Sequence, residues 1–145
     1  MGLEERQQEK EIDGTLYRVT PLPFGIGQKA LMRLLKVLSP VLSAALSDNS
    51  QGAMLSAIPG ALTEDDLAWF ARTFGDASFY QEGGKWVPLV TKNQELHFAG
   101  RYETFFRWLI FSIEVNFSGF FSGLSRDASA AGAMAAIAKP LASTG

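Results

Sequence analysis

The aromatic-rich segment Phe105–Phe121 constrains the fold of this chain most strongly. Side chains four residues apart lie on one side of a helix. One such row is entirely apolar: Phe105, Leu109, Ile113, Phe117 and Phe121. The same side is widened by Phe106, Ile110 and Phe120. This spacing predicts one long amphipathic helix, from about Arg101 to Gly119 or Gly123, at the centre of the fold.

The apolar side of this helix is wider than a single core face requires. Trp108, Phe111 and Val115 flank the main row, so more than half of the circumference is apolar. A helix of this kind is buried on more than one side. We therefore expect it to contribute to a core and to a protein interface. The predicted partner-binding residues are Trp108, Phe111, Val115, Phe120 and Phe121.

A transmembrane helix is an alternative for the same segment. A membrane span needs ~20 mainly apolar residues, and Arg107, Glu114 and Asn116 interrupt this one. Each charged side chain at the centre of a bilayer costs at least ~2.5–3.5 kcal/mol on insertion scales. We therefore expect no membrane partner, and a small membrane-active protein stays as the second alternative function.

Two short β-hairpins are predicted from turn signals. Asp13-Gly14 is a strong signal for a two-residue hairpin turn, and strand-like residues follow it. A second pair of strands, Ala77–Gln81 and Lys85–Val90, is joined by a glycine-rich turn. Pro88 cannot donate a backbone hydrogen bond, which predicts that its strand lies at the edge of a sheet.

Apolar residues at helical spacing predict further helices. Over Ile26–Leu46, Pro40 favours two helices or one sharply bent helix. Thr63 is a good N-cap for a helix that Gly75 ends, with acidic residues in its first turn. The segment Thr91–Gly100 is predicted to be a connection.

The predicted fold is mainly α with two short β-hairpins, a minor β contribution to an α+β class. It is a small helical domain built around one long C-terminal aromatic helix. A chain of 145 residues suits one domain. We expect a disordered N-terminus over residues 1–9, a single helical domain over 10–124 and a flexible Ala-rich tail over 125–145.

Composition argues against catalysis. The chain has no cysteine, which excludes a thiolate metal site and a cysteine nucleophile, and it has one histidine. No nucleophile elbow accompanies His97. The net charge of −2 lacks the basic character of a nucleic-acid-binding protein. We predict no enzyme activity, no catalytic residue, no cofactor, no metal and no nucleic-acid partner.

Three segments, in this order, carry a resemblance to a known family. Tyr17–Pro23 reads as a strand that leads into a helix rich in Lys and Leu. His97–Arg101 then precedes the aromatic helix, which ends with Glu114–Phe121. This order resembles the small tail assembly chaperones of long-tailed bacteriophages and prophages, over about Glu11 to Phe121.

The resemblance implies a non-enzymatic helper in the host cytoplasm. Such chaperones coat the long, hydrophobic tape-measure protein before the tail tube polymerises around it, and they are absent from the mature virion. Binding to a phage tape-measure protein and self-association into a homo-oligomer are therefore expected. The first alternative is a structural minor tail protein of the virion, at the end of the tube or in a connector.

Overall fold

The computed structural model describes residues 2–47 and 60–126. In this part of the chain, a short 3-10 helix at Leu3–Arg6 precedes a four-stranded antiparallel sheet. The strands follow the order β1-β2-β3-β4 across the sheet. Their bounds are β1 Gln8–Ile12, β2 Thr15–Val19, β3 Ser78–Glu82 and β4 Lys85–Pro88.

Both predicted hairpins are confirmed, and their turns explain why they form. Asp13 and Gly14 adopt φ values of 50° and 85°, and Gly83 and Gly84 adopt 58° and 79°. Positive φ at both central residues belongs to the turn whose twist matches that of antiparallel strands. Pro88 lies in β4, an edge strand, as its missing N–H predicts.

The predicted fold class, mainly α with two short hairpins, is wrong. The hairpins are not separate, because β2 pairs with β3 and joins all the strands into one sheet. In that pairing Tyr17 lies opposite Tyr80, and Val19 lies opposite Ser78. Turn signals act over a few residues, whereas this pairing joins segments far apart in the sequence. Local signals therefore predicted the hairpins but not the sheet.

The helices of the described chain lie mostly where the sequence predicts them. Pro40 does not divide α1 into two helices. The prediction of a plain connection over Thr91–Gly100 is wrong, because α3 occupies most of it. The long helix α4 continues beyond Gly123. Their bounds are α1 Phe24–Ser47, α2 Glu64–Gly75, α3 Thr91–His97 and α4 Tyr102–Arg126.

The N-terminus of α2 is fixed by a capping box, and Thr63 is its N-cap, as predicted. Thr63 Oγ1 accepts a hydrogen bond from the Asp66 N–H, and the Asp66 carboxylate accepts from the Thr63 N–H. Asp66 Oδ1 also accepts from an Arg33 guanidinium N–H on α1 at 3.0 Å. Asp66 therefore links the N-terminus of α2 to α1.

The core lies between one face of the sheet and the helices. Strand β2 contributes Tyr17 and Val19, and α1 contributes Leu34, all fully buried. Helix α2 contributes two stacked phenylalanines, and α4 contributes Trp108 with its neighbours. The fully buried large side chains are Trp108, Tyr17, Phe70, Phe74, Leu34, Leu89, Leu109 and Ile113.

The predicted domain boundaries stay predictions. Strand β1 begins at Gln8, and α4 ends at Arg126. Residues 127–145, which make up nearly all of the predicted tail 125–145, lie outside the described residues.

Phe70→Ala and Phe24→Ala make a matched test of this core. Phe70 is 0% exposed, so its truncation should lower the free energy of unfolding by about 3–5 kcal/mol. Phe24 is 83% exposed, and the same truncation should change it by no more than about 0.5 kcal/mol. Urea unfolding followed by circular dichroism measures both. Equal losses in the two variants would contradict this assignment of the core.

Candidate protein-binding groove

An apolar groove of about 450 Å³ lies between α2, α3 and the start of α4. One wall is part of α2, and the opposite wall is the first turn and a half of α4. The corner between α3 and α4 forms its floor. We call it the α2–α4 groove. Its apolar lining consists of Leu67, Ala68, Ala71, Phe98, Tyr102, Phe105 and Phe106.

The two walls of the groove differ in shape. On α2, the small side chains of Ala68 and Ala71 leave room for another backbone to approach. On α4, Phe105 and Phe106 are half-buried, and Tyr102 is 72% exposed. The α2 wall has small side chains at two positions, and the α4 wall opposite it is aromatic. A groove of this shape can accept an apolar side chain or a ridge of side chains from another helix.

The α3 end of the groove is polar. Arg72 on α2 and Glu95 on α3 both line it and are exposed, so opposite charges flank an apolar floor. Apolar surface surrounded by polar groups is typical of a protein-binding site.

Gln94 fixes α3 against the wall formed by α2. Its Nε2 amide donates to the Ala71 carbonyl and to the Leu89 carbonyl, both at 2.8 Å. Gly75 makes this arrangement possible. A Cβ atom at that position would lie 2.2 Å from Gln94 Nε2 and 2.5 Å from the Leu89 carbonyl oxygen.

His97 fixes the other side of α3 against the sheet. Its Nε2 lies 2.6 Å from the Tyr17 hydroxyl on β2, and its ring stacks on Tyr80 of β3 at 3.9 Å between centroids. Burial lowers the pKa of His97, and the nearby positive charge of Arg101 lowers it further. Burial also raises the pKa of Tyr17 to about 12. At neutral pH the imidazole is therefore uncharged, and which of the two groups donates depends on which ring nitrogen carries the proton.

The residues predicted to bind a partner lie outside this groove. Trp108 is 0% exposed and Phe111 is 5% exposed, so both contribute to the core. Val115 is half-buried against the core, and Phe120 is 38% exposed. The side chain of Phe121 lies outside the described part of the structure. The partner-binding role of these residues stays a prediction, and its exposed part lies at the C-terminal end of α4.

Sequence reasoning missed the groove because residues of α2 and α4 come together only in the folded chain. Ala68 and Ala71 belong to an ordinary helix, and nothing local indicates that aromatic residues of α4 face them. One signal was available for the core. Thr104 and Ser112 interrupt the aromatic helix on the side of Trp108, and both are buried. In this helix the small polar side chains one turn before and one turn after Trp108 lie on the closely packed face.

The structure also bears on the hypothesis that the segment Phe105–Phe121 inserts into a membrane. Among the helices of residues 2–47 and 60–126, none has the length and apolar character that a membrane crossing requires.

Comparison with known protein families gives a match that begins just after β1 and ends with α4. A family model described as phage tail assembly chaperone protein matches residues 13–126. The chain belongs to the phage tail assembly chaperone family. The resemblance stated from the sequence is thereby confirmed. The match includes every residue of the α2–α4 groove and all of α4. No curated protein and no solved structure shows a significant similarity to the chain.

Membership in this family implies protein partners in tail assembly. In this chaperone, the α2–α4 groove is an exposed apolar surface of defined shape within the matched residues. It is therefore the candidate site for such a partner.

Gly75→Ala and Gly119→Ala should have opposite effects on stability. At Gly75 the added methyl collides with the Leu89 carbonyl, so we expect a loss of about 1–3 kcal/mol. At Gly119, within α4, no described atom lies within 4 Å of the added methyl, so we expect a gain of about 0.5–1 kcal/mol. Urea unfolding of both variants checks the signs. A stabilised Gly75→Ala variant would show that Gln94 and Leu89 do not close on α2.

The stability of the protein should fall as the pH is lowered from neutral through about 6.5, because of His97. Its folded-state pKa lies below the ordinary 6.5, so the unfolded chain takes up a proton at higher pH than the folded chain. This stabilisation is complete above about 6.5 and is lost as the pH falls through 6.5 towards the folded-state pKa. Asp66, whose pKa is held below 3.8, contributes only at lower pH.

Urea unfolding of the wild type and of His97→Gln across this pH range measures the effect. Gln keeps a hydrogen-bond acceptor for Tyr17 but does not titrate, so the variant should lose most of the pH dependence. An equal pH dependence in both proteins would rule out His97 as its source.

Proposed function

We propose that this chain is a non-enzymatic chaperone that binds the tape-measure protein of its phage during tail assembly. It acts in the host cytoplasm and is absent from the mature virion. Membership in the tail assembly chaperone family supports the general role. The choice of client rests on the chemistry of the exposed surface and on what the sequence resemblance implies.

The α2–α4 groove is the observation that carries this proposal. A long client with helical apolar stripes needs those stripes shielded until it is assembled. An amphipathic helix laid in an apolar groove achieves this with side chains at i, i+3, i+4 and i+7. In our proposal the small side chains of Ala68 and Ala71 let the client backbone approach α2. Phe105 and Phe106 pack against its apolar residues, and Tyr102 covers its exposed side.

The C-terminal part of α4 is the second element of the proposed interface. At a rise of 1.5 Å per residue, Phe106 and Phe120 lie about 21 Å apart along the helix. A client helix of similar length that follows α4 reaches from the groove to Phe120. Val115, Phe120 and Phe121 are the residues of the original prediction that we retain for client contact or for contact between copies. Trp108 and Phe111 support this surface from within the core.

Ala68→Glu should weaken client binding without unfolding the protein. Ala68 is exposed on the groove wall, so the fold tolerates a larger side chain, but a bound helix would bury the new charge. We expect at least ~10-fold weaker capture, which corresponds to about 1.4 kcal/mol. The measurement is co-expression with the tape-measure protein of the same phage, followed by affinity pull-down and quantification of the soluble client.

Gln28→Glu is the matched control. It adds the same charge at an exposed position of α1, away from the groove lining, and should leave capture unchanged. Equal capture by the wild type and Ala68→Glu would exclude the groove as the client site. Failure of the wild type to capture or solubilise the client would defeat the proposed function itself.

Mass spectrometry of purified virions separates the chaperone from the structural alternative. We expect the tape-measure protein to be present and this chain to be missing. Stoichiometric amounts of this chain in the virion would support a minor tail protein instead.

A further inference from the structure

Phe98 is the residue on which the floor of the α2–α4 groove depends. It caps the C-terminus of α3, where its N–H donates to the Gln94 carbonyl at 2.9 Å. Its ring lies 5.4 Å from Phe105 and 5.7 Å from Trp108, and it stacks on Tyr17 at 6.4 Å between centroids. A shift of this ring would therefore change the floor and the aromatic wall together.

His97 immediately precedes Phe98, and its side chain is held by two strands. Tyr17 on β2 bonds its Nε2, and Tyr80 on β3 covers one face of its ring. The His97 ring also meets the Phe98 ring edge-on at 4.9 Å. Because the two residues are adjacent in the chain and their rings are in contact, a displacement of the imidazole would also disturb Phe98.

The charged groups around His97 come from several elements. Arg101, in the turn before α4, disfavours a positive imidazole, whereas Glu82 at the end of β3 favours one. Tyr17 and Tyr80 are the titratable neighbours from the sheet, and burial raises the pKa of both. Asp13 acts on Tyr17 from the first hairpin turn.

We propose that His97 is a positioning residue for the α2–α4 groove: the uncharged imidazole, held between Tyr17 and Tyr80, sets Phe98 on the groove floor, and proton uptake by His97 weakens client binding. This inference rests on the proposed function in one respect, namely that the groove is the client site. The effect on the shape of the groove is independent of any client.

The physical basis is the change in what the His97 ring can do. In our proposal the uncharged ring carries its proton on Nδ1 and accepts the hydrogen bond of the buried Tyr17 hydroxyl at Nε2. After protonation both ring nitrogens are donors, so Tyr17 must rotate to accept instead. The new charge also lies half-buried beside Arg101. These effects favour movement of the ring towards water, and the adjacent Phe98 moves with it.

The first arm of the test uses the protein without a client. His97 is the only histidine, so its imidazole proton gives one assignable NMR signal across a pH titration. In the wild type, the signals of Phe98 and Phe105 should shift with the same midpoint as His97. In Arg101→Gln, both midpoints should move to higher pH because a neighbouring positive charge is removed. In His97→Gln, the Phe98 and Phe105 signals should not shift in this range.

Lys92→Gln is the control for loss of charge. Lys92 is exposed on α3 and is not among the charges that shift the pKa of His97. Its removal should leave both midpoints in place. Phe98 and Phe105 signals that stay fixed while His97 titrates would overturn the positioning role, as would midpoints that do not respond to Arg101→Gln.

The second arm measures binding of overlapping 25-residue peptides that span the tape-measure protein (about seven helical turns each). The tightest peptide should bind several-fold more weakly below the midpoint of His97, with the loss shifted to higher pH in Arg101→Gln and absent in His97→Gln. Binding that is independent of pH in all three proteins would overturn the inference and leave the proposed function standing. If no peptide binds at any pH, the proposed client site is wrong, and the first arm alone decides the positioning role.

Discussion

The indole of Trp108 lies where α2, β3 and α4 meet. Its Nε1–H donates to Ser78 Oγ at 3.2 Å, and the Ser78 hydroxyl donates to the Phe74 carbonyl of α2 at 2.7 Å. An indole N–H that is buried without a partner is costly, so this chain of hydrogen bonds restricts the rotation of α4 about its axis. Once that rotation is set, Leu109 and Ile113 enter the core, and Phe105 and Phe106 face α2.

The groove follows from the same constraint. If α4 were turned so that Phe105 and Phe106 lay at the centre of the core, the aromatic wall would be buried and the groove would close. Instead Trp108 takes the central position, and Ser112 beside it donates to the Trp108 carbonyl at 3.0 Å. Asn116, one turn further, accepts from the Leu22 N–H at 2.8 Å. The bonds from Trp108 to Ser78 and from Leu22 to Asn116 join α4 to other elements, and they hold the helix in an orientation that leaves apolar surface on its flank.

The parts of the structure that could be predicted from the sequence are those with local causes. The turns at Asp13-Gly14 and Gly83-Gly84 follow from residues that accept positive φ, and Thr63 caps its helix through Asp66. The long helix was predicted from its spacing.

The joining of the hairpins through β2 and β3 was not predicted, because strand pairing depends on contacts distant in sequence. The predicted apolar row of α4 is buried at Leu109, Ile113 and Phe117, but the burial of the flanking Trp108 and Phe111 was not predicted, for a related reason. A helix that is apolar on most sides gives no preferred core face, and contacts distant in sequence, such as the bond from Trp108 to Ser78, decide it. The partner-binding role first predicted for Trp108 and Phe111 therefore could not be separated from a core role.

The central claim is that the α2–α4 groove holds a helix of the tape-measure protein. Hydrogen–deuterium exchange of this chain alone and in complex with that client tests it most directly. We predict slower exchange on binding for residues 67–72 and 102–106, with strand β4 unchanged. Protection confined to the sheet, or to the C-terminal part of α4 with none at α2, would contradict the claim.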